Sequence, residues 1–204
     1  HMRQSGTSDI PHVNVTDHWI RREIKSYGKL EVLKLMERSE PVRLRSFFEE
    51  IDELADLRKG IAYVKLYESK DNKKIYLKWA IPLLKDGLLK YPRHEKGRLF
   101  YGKALYNLRD FQSAKIQFKL LTDINPNHVD AWINLGLIYQ NSKLYAQAET
   151  AYRNALSINP ESEIVYNNLG NVLAELNRLS EAKKAYLKAI DLNSWYSAPY
   201  NNLG

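Results

Sequence analysis

The C-terminal half of the chain repeats itself every 34 residues. Trp132, Tyr166 and Tyr200 hold one place in the period, Leu135, Leu169 and Leu203 a second, and Gly102, Gly136, Gly170 and Gly204 a third. A second set follows within each unit: Ala114, Ala148 and Ala182, then Phe118, Tyr152 and Tyr186, then Pro126 and Pro160. A period this short is one supersecondary unit that cannot bury both its faces, so neighbours must stack into an open array. The small residues let two antiparallel helices approach, and the large ones fill the spaces around them. The proline ends the second helix and starts the turn to the next unit.

These places resemble the tetratricopeptide repeat (TPR) family, whose pattern is W-x₂-L-G-x₂-Y, then A-x₃-F, then a closing proline. Trp132, Leu135, Gly136, Tyr139, Ala148, Tyr152, Ala155 and Pro160 occupy every signature place of one unit. The resemblance implies an all-α, right-handed superhelical solenoid of helix-turn-helix repeats, with protein–protein interaction as its role and no catalysis. Units are expected at 95–128, 129–162 and 163–196. Arg98 and Tyr101 depart from the pattern in the first of these, and Ser194 replaces the proline in the last. Residues 61–94 read as a degenerate unit, with Ala80, Leu84 and Pro92 on phase but Tyr67 and Glu68 in place of Leu and Gly. Pro82 falls inside its second helix and should kink it or remove a hydrogen bond. Residues 197–204 start a further unit, which suggests that the natural protein continues with more repeats.

The first sixty residues lie outside the period. Residues 1–22 read as an extended tail and 23–60 as an N-terminal helical cap, with a helix over 41–58. Pro41 suits its first turn, and Leu44, Phe47, Phe48, Ile51, Leu54, Ala55 and Leu57 form an apolar stripe. Residues 29–37 are apolar and fit either a short helix or a strand. His1, His12 and His18 crowd the tail, in a context similar to the post-haem region of multihaem c-type cytochromes with TPR tails. That resemblance implies haem c attached upstream in a longer protein, His12 or His18 as an axial ligand, a redox partner docked by the repeats, and a periplasmic or otherwise extracytoplasmic setting. A plain scaffold is equally at home in the cytoplasm, and His1-Met2 also fits a cloning scar. The spacing of His12 and His18 matches no standard zinc motif.

Composition narrows the chemistry. The 204 residues include no cysteine, which removes disulfides, thiolate nucleophiles and Cys-held metals. No phosphate-binding glycine loop, dinucleotide fingerprint, zinc-protease motif or nucleophile elbow is present. No nucleic-acid-binding module is evident either. The net charge of +7 is concentrated: residues 61–128 hold 14 Lys and Arg against 6 Asp and Glu.

In a curled array the first helices line the concave side, at places 2, 5, 6, 9, 12 and 13 of each unit. Asn134, Asn168 and Asn202 share place 6. Asn167 and Asn201 fall at place 5, Asn171 at place 9, and Asn107 and Asn141 at place 13. Asparagine is a mediocre helix former, so its recurrence asks for a reason. Its amide donates and accepts at once, which suits a peptide backbone or a carboxylate. Lys65, Lys73, Lys96 and Lys103 make the earlier groove basic, with Tyr106 beside them. The expected partner is an acidic peptide or one with a free carboxylate, and self-association through the terminal repeat is a further expectation. Lys78, Lys85, Lys115 and Lys119 fall on second helices, either as solubility charges or as a second contact surface.

Overall fold

The computed structural model describes residues 20–22, 44–46 and 54–203, which divide into two compact units, His1–Ala55 and Asp56–Gly204. In the first unit, strands β1 (Ile20–Arg22) and β2 (Leu44–Ser46) pair antiparallel, with Arg21 opposite Arg45. The helix expected over 41–58 is therefore not what Leu44–Ser46 adopts. Those residues take their backbone partners from a strand more than twenty positions upstream, a non-local pairing that outweighs the local helical stripe. The apolar segment 29–37 lies outside the described residues.

The second unit is all-helical and forms a solenoid of TPR type. Its helices are α1 (Ala55–Leu66), α2 (Lys74–Lys90), α3 (Glu95–Asn107), α4 (Phe111–Ile124), α5 (Val129–Asn141), α6 (Tyr145–Ile158), α7 (Glu163–Glu175), α8 (Leu179–Leu192) and the short α9 (Ala198–Asn202). From α3 onward each odd-numbered first helix pairs with the even-numbered second helix that follows, α1 meets α2 through Gly60 on Leu84 and Leu57 on Gly87, and each second helix packs on the next first helix. The first helices α3 and α5, and α7 and α9, also approach one another directly, which no pair of second helices does to the same degree. The first helices are thus the inner, tighter layer.

Glycine sets the hairpin spacing. A Cβ on Gly102 would lie 2.6 Å from the Phe118 ring, on Gly136 2.4 Å from Tyr152, and on Gly170 2.5 Å from Tyr186. The same contact occurs in the first hairpin, but shifted: Gly60 sits against Leu84, its would-be Cβ 2.6 Å from Leu84 Cγ. Gly60 lies 42 residues before Gly102 rather than 34. The connection over 67–73, with a π-turn over Tyr67–Asp71 and the left-handed Asn72 (φ 42°), is longer than the three-residue turns of the later hairpins and takes up part of this shift. The signature glycine expected at 68 is therefore present, one long connection earlier. α1 runs across the boundary placed between 60 and 61. Leu57 on α1 is buried at the would-be Cβ positions of Gly87 and Gly97, locking α1 to α2 and α3. Pro82 sits within α2 at an exposed position, and the helix continues past it to Lys90.

The turns inside the later hairpins share one backbone device. Arg109, Lys143 and Asn177 all adopt φ between 58° and 66°. In the first of these turns Asp110 N–H donates to the Leu105 carbonyl and Arg109 N–H to the Tyr106 carbonyl, a Schellman arrangement repeated at Lys143 and Asn177. The conformation favours glycine, which none of the three is. Lys143→Gly should therefore raise stability by about 1 kcal/mol in urea unfolding.

A second device seals the turns between hairpins. Trp132 Nε1 donates to the Pro126 carbonyl at 2.7 Å, and Tyr200 hydroxyl donates to the Ser194 carbonyl at 3.3 Å. Arg98, one period before Trp132, makes the same bond from Nη2 to the Pro92 carbonyl. Its Nη1 donates to Gln117 Oε1 at 2.8 Å, while Nε is buried without a partner. Burial lowers the pKa of this guanidinium. Between hairpins the core is continuous: Ala148, Tyr152 and Ala155 of α6 join Val165, Leu169 and Val172 of α7 and Ala182 and Tyr186 of α8 in one buried cluster.

Candidate functional site

The asparagines of the inner layer divide into three groups. Asn202 Nδ2 donates to Asn167 Oδ1 at 3.0 Å and to Asn171 Oδ1 at 2.9 Å, and Asn171 Oδ1 also accepts from Tyr186 hydroxyl at 2.9 Å. Asn167 is only 4% exposed. This trio is a tie between α7, α8 and α9 and not an open row of amides. Asn141 Nδ2 donates to Tyr106 hydroxyl at 2.8 Å, joining α5 to α3. Asn134 and Asn107 donate back to carbonyls one turn earlier, Asp130 at 2.7 Å and Lys103 at 3.0 Å. Asn168 and Asn201 have no side-chain hydrogen bond; Asn168 is half-exposed and Asn201 exposed. Three further asparagines, Asn125, Asn159 and Asn193, accept from a backbone N–H two residues on and shape the turns between hairpins. Their recurrence therefore has an architectural cause for most positions.

The basic end of the inner layer is assembled from α1 and α3. Lys103 Nζ stands 5.2 Å from the centroid of the Phe100 ring, and Lys65 Nζ stands 5.9 Å from the same ring. Glu68 Oε1 lies 3.5 Å from Lys103 Nζ. Lys65 and Lys96 are exposed and make no ion pair. Tyr106 packs edge-on against Phe111 with its hydroxyl toward Asn141. Pattern reading expected Lys65, Lys73, Lys96, Lys103 and Tyr106 here; Lys73 instead stands at the N-cap of α2. The pattern missed Phe100, at place 6, because a phenylalanine in a helix reads as core. It also missed Glu68, which the displaced phase assigned to a glycine place.

Other chemistry is sparse. Among the described residues no group of three or more His, Cys, Asp or Glu side chains is placed to hold a metal ion. His94 and His128, the described histidines, cap α3 and α5 through Nδ1, which accepts from Gly97 and Ala131 N–H. His12 and His18, the expected haem ligands, lie outside the described residues.

The fold is a repeat solenoid with the first helices as its inner layer, and comparison agrees on the repeats. Residues 129–162 and 164–196 each match the tetratricopeptide repeat family model, so the chain carries TPR repeats. Among solved structures, the MamA RS-1 ArsTM double mutant superposes with a TM-score of 0.64 at 21% identity, covering 72% of this chain and 81% of that one. MamA 41-end from Desulfovibrio magneticus RS-1 gives 0.60 at 24% identity, covering 69% and 81%. A MamA structure of AMB-1 gives 0.60 at 20% identity, covering 81% and 89%. These likenesses establish a shared solenoid fold. No curated protein matches the chain.

Proposed function

We propose that the chain is a protein-interaction scaffold whose inner layer binds a peptide bearing acidic side chains or a free carboxylate. The observation that carries this reading is the pair of ammonium groups, Lys65 and Lys103, over the single Phe100 ring. The ring forms an apolar floor, which lowers the local dielectric and strengthens attraction to an incoming carboxylate. Glu68 holds Lys103 in place when the groove is empty, and a peptide carboxylate exchanges for it. Asn168, with its amide unspent, and the Oδ1 of Asn134 then meet the peptide backbone further along. The Asn167–Asn171–Asn202 tie fixes α9 against α7 and keeps the far end of the row in shape.

The test is an array of acidic peptides with free C-termini, followed by anisotropy titration of the best binder. Lys65→Glu combined with Lys103→Glu should weaken binding by at least about tenfold, because it reverses two charges at one contact. Affinity should also fall as salt rises. Asn168→Ala should cost about fivefold, the loss of one amide contact. Unchanged affinity in the double lysine variant, with its helical circular dichroism intact, would remove the basic end from the binding site.

A further inference from the structure

The basic excess of the central region is not concentrated in the groove. Half of it lies on the outer layer: α2 and α4, the two second helices that flank α3, hold six of the fourteen Lys and Arg and two of the six Asp and Glu. Lys74, Lys78, Lys85 and Lys90 of α2 and Lys119 of α4 are exposed, and Lys115 is half-exposed. None of the six has an ion-pair partner. The acidic residues of these two helices are Asp86 and Asp123 alone. The contrast with the later outer helices is sharp. There Arg178 pairs with Glu149 and Glu181 at 2.7 Å each, Arg153 with Glu149 at 2.8 Å, and Lys188 with Asp191 at 3.0 Å.

Large aliphatic side chains stand among the free lysines. Leu89 is 74% exposed, Ile116 54% and Leu120 41%. The same two helices carry no arginine and no fully exposed aromatic ring, Trp79 and Phe111 being part-buried and Tyr76 and Phe118 buried. Those absences choose between anionic partners. Protein interfaces are depleted in lysine and built on arginine and aromatic anchors. Single-stranded nucleic acid needs stacking rings, and the commonest base contact is an arginine on guanine. An anionic bilayer needs neither. Long lysine stems reach the headgroups while aliphatic tips enter the boundary below them.

We infer that the outer face of α2 and α4 docks on an anionic lipid surface, leaving the inner layer free for its peptide. The association is peripheral, since no helix among the described residues is long and apolar enough to cross a membrane.

The full chain is sedimented with vesicles of phosphatidylcholine carrying about 30% phosphatidylserine, and with phosphatidylcholine alone, at low and high salt. Binding is expected only to the anionic vesicles and only at low salt. Each lysine near such a surface contributes about fivefold in partition, so the triple variant Lys78→Gln, Lys85→Gln, Lys119→Gln should bind about 100-fold more weakly. Ile116→Gln with Leu120→Gln should also weaken it, whereas Lys65→Glu with Lys103→Glu in the groove should leave most of it. Failure to sediment with the anionic vesicles at low salt overturns the inference. So does equal binding to the neutral vesicles. Equal competition by polyglutamate or duplex DNA would reassign the face to an acidic protein or to nucleic acid.

Discussion

Gly136→Ala should lower the stability of the array by about 3 kcal/mol, at the upper end for overpacking. The added Cβ would fall 2.4 Å from Tyr152 Cε1, and the Tyr152 ring is fully buried in the cluster that joins α6 to α7 and α8. The ring has no exit: its hydroxyl donates to Gln140 Oε1 at 2.9 Å, which anchors its far end to α5. The two helices must then separate by about an ångström at this hairpin. Repeats interact only with their neighbours, so a loosened central hairpin uncouples those on either side. Urea unfolding should show a lower midpoint, and hydrogen exchange should accelerate first in α5 and α6. A double-mutant cycle with Tyr152→Ala checks the cause. If the steric contact is responsible, the double variant loses less than the sum of the single ones. Strict additivity would show that Gly136→Ala acts elsewhere.

Arg98→Ala should cost a similar amount, about 3 kcal/mol, while Arg98→Tyr should stay within about 1 kcal/mol of the parent. Arg98 is 8% exposed and spends two of its nitrogens on the Pro92 carbonyl and Gln117. Truncation takes the donor from both part-buried bonds and opens a cavity as well. Tyrosine, which occupies the same place at Tyr166 and Tyr200, restores bulk and removes a buried charge. At Tyr200 its hydroxyl makes the bond to the turn carbonyl that Arg98 makes. Thermal or urea unfolding of both variants distinguishes the two costs. If Arg98→Tyr falls as far as Arg98→Ala, the guanidinium itself, and not the turn bond with its packing, holds this junction.

The hairpins at 95–128, 129–162 and 163–196 were legible because each rests on local spacing. A glycine sixteen places before an aromatic ring, and a closing turn ten or so places later, are statements about neighbours on one helix pair. The same spacing rule misplaced the first hairpin. Its contacts are of the same kind, Gly60 on Leu84, but Gly60 stands 24 residues before Leu84 where Gly102 stands 16 before Phe118, and a fixed period cannot register that extra length. Strand β2 escaped notice for a related reason, since its pairing with β1 depends on residues far away in sequence.

The groove divides in the same way. Periodicity places Asn134, Asn167, Asn168, Asn171 and Asn202 on the inner layer, since face assignment follows from 3.6 residues per turn. It cannot say which amides remain free. That depends on distances between helices of different units, and there Asn202 meets Asn167 and Asn171 while Asn168 meets nothing. The sequence likewise located the positive charge in the central stretch, a property of composition alone. Only the packing of α2 and α4 as outer helices, with acids too few to pair their lysines, decided that half of this excess lies away from the groove.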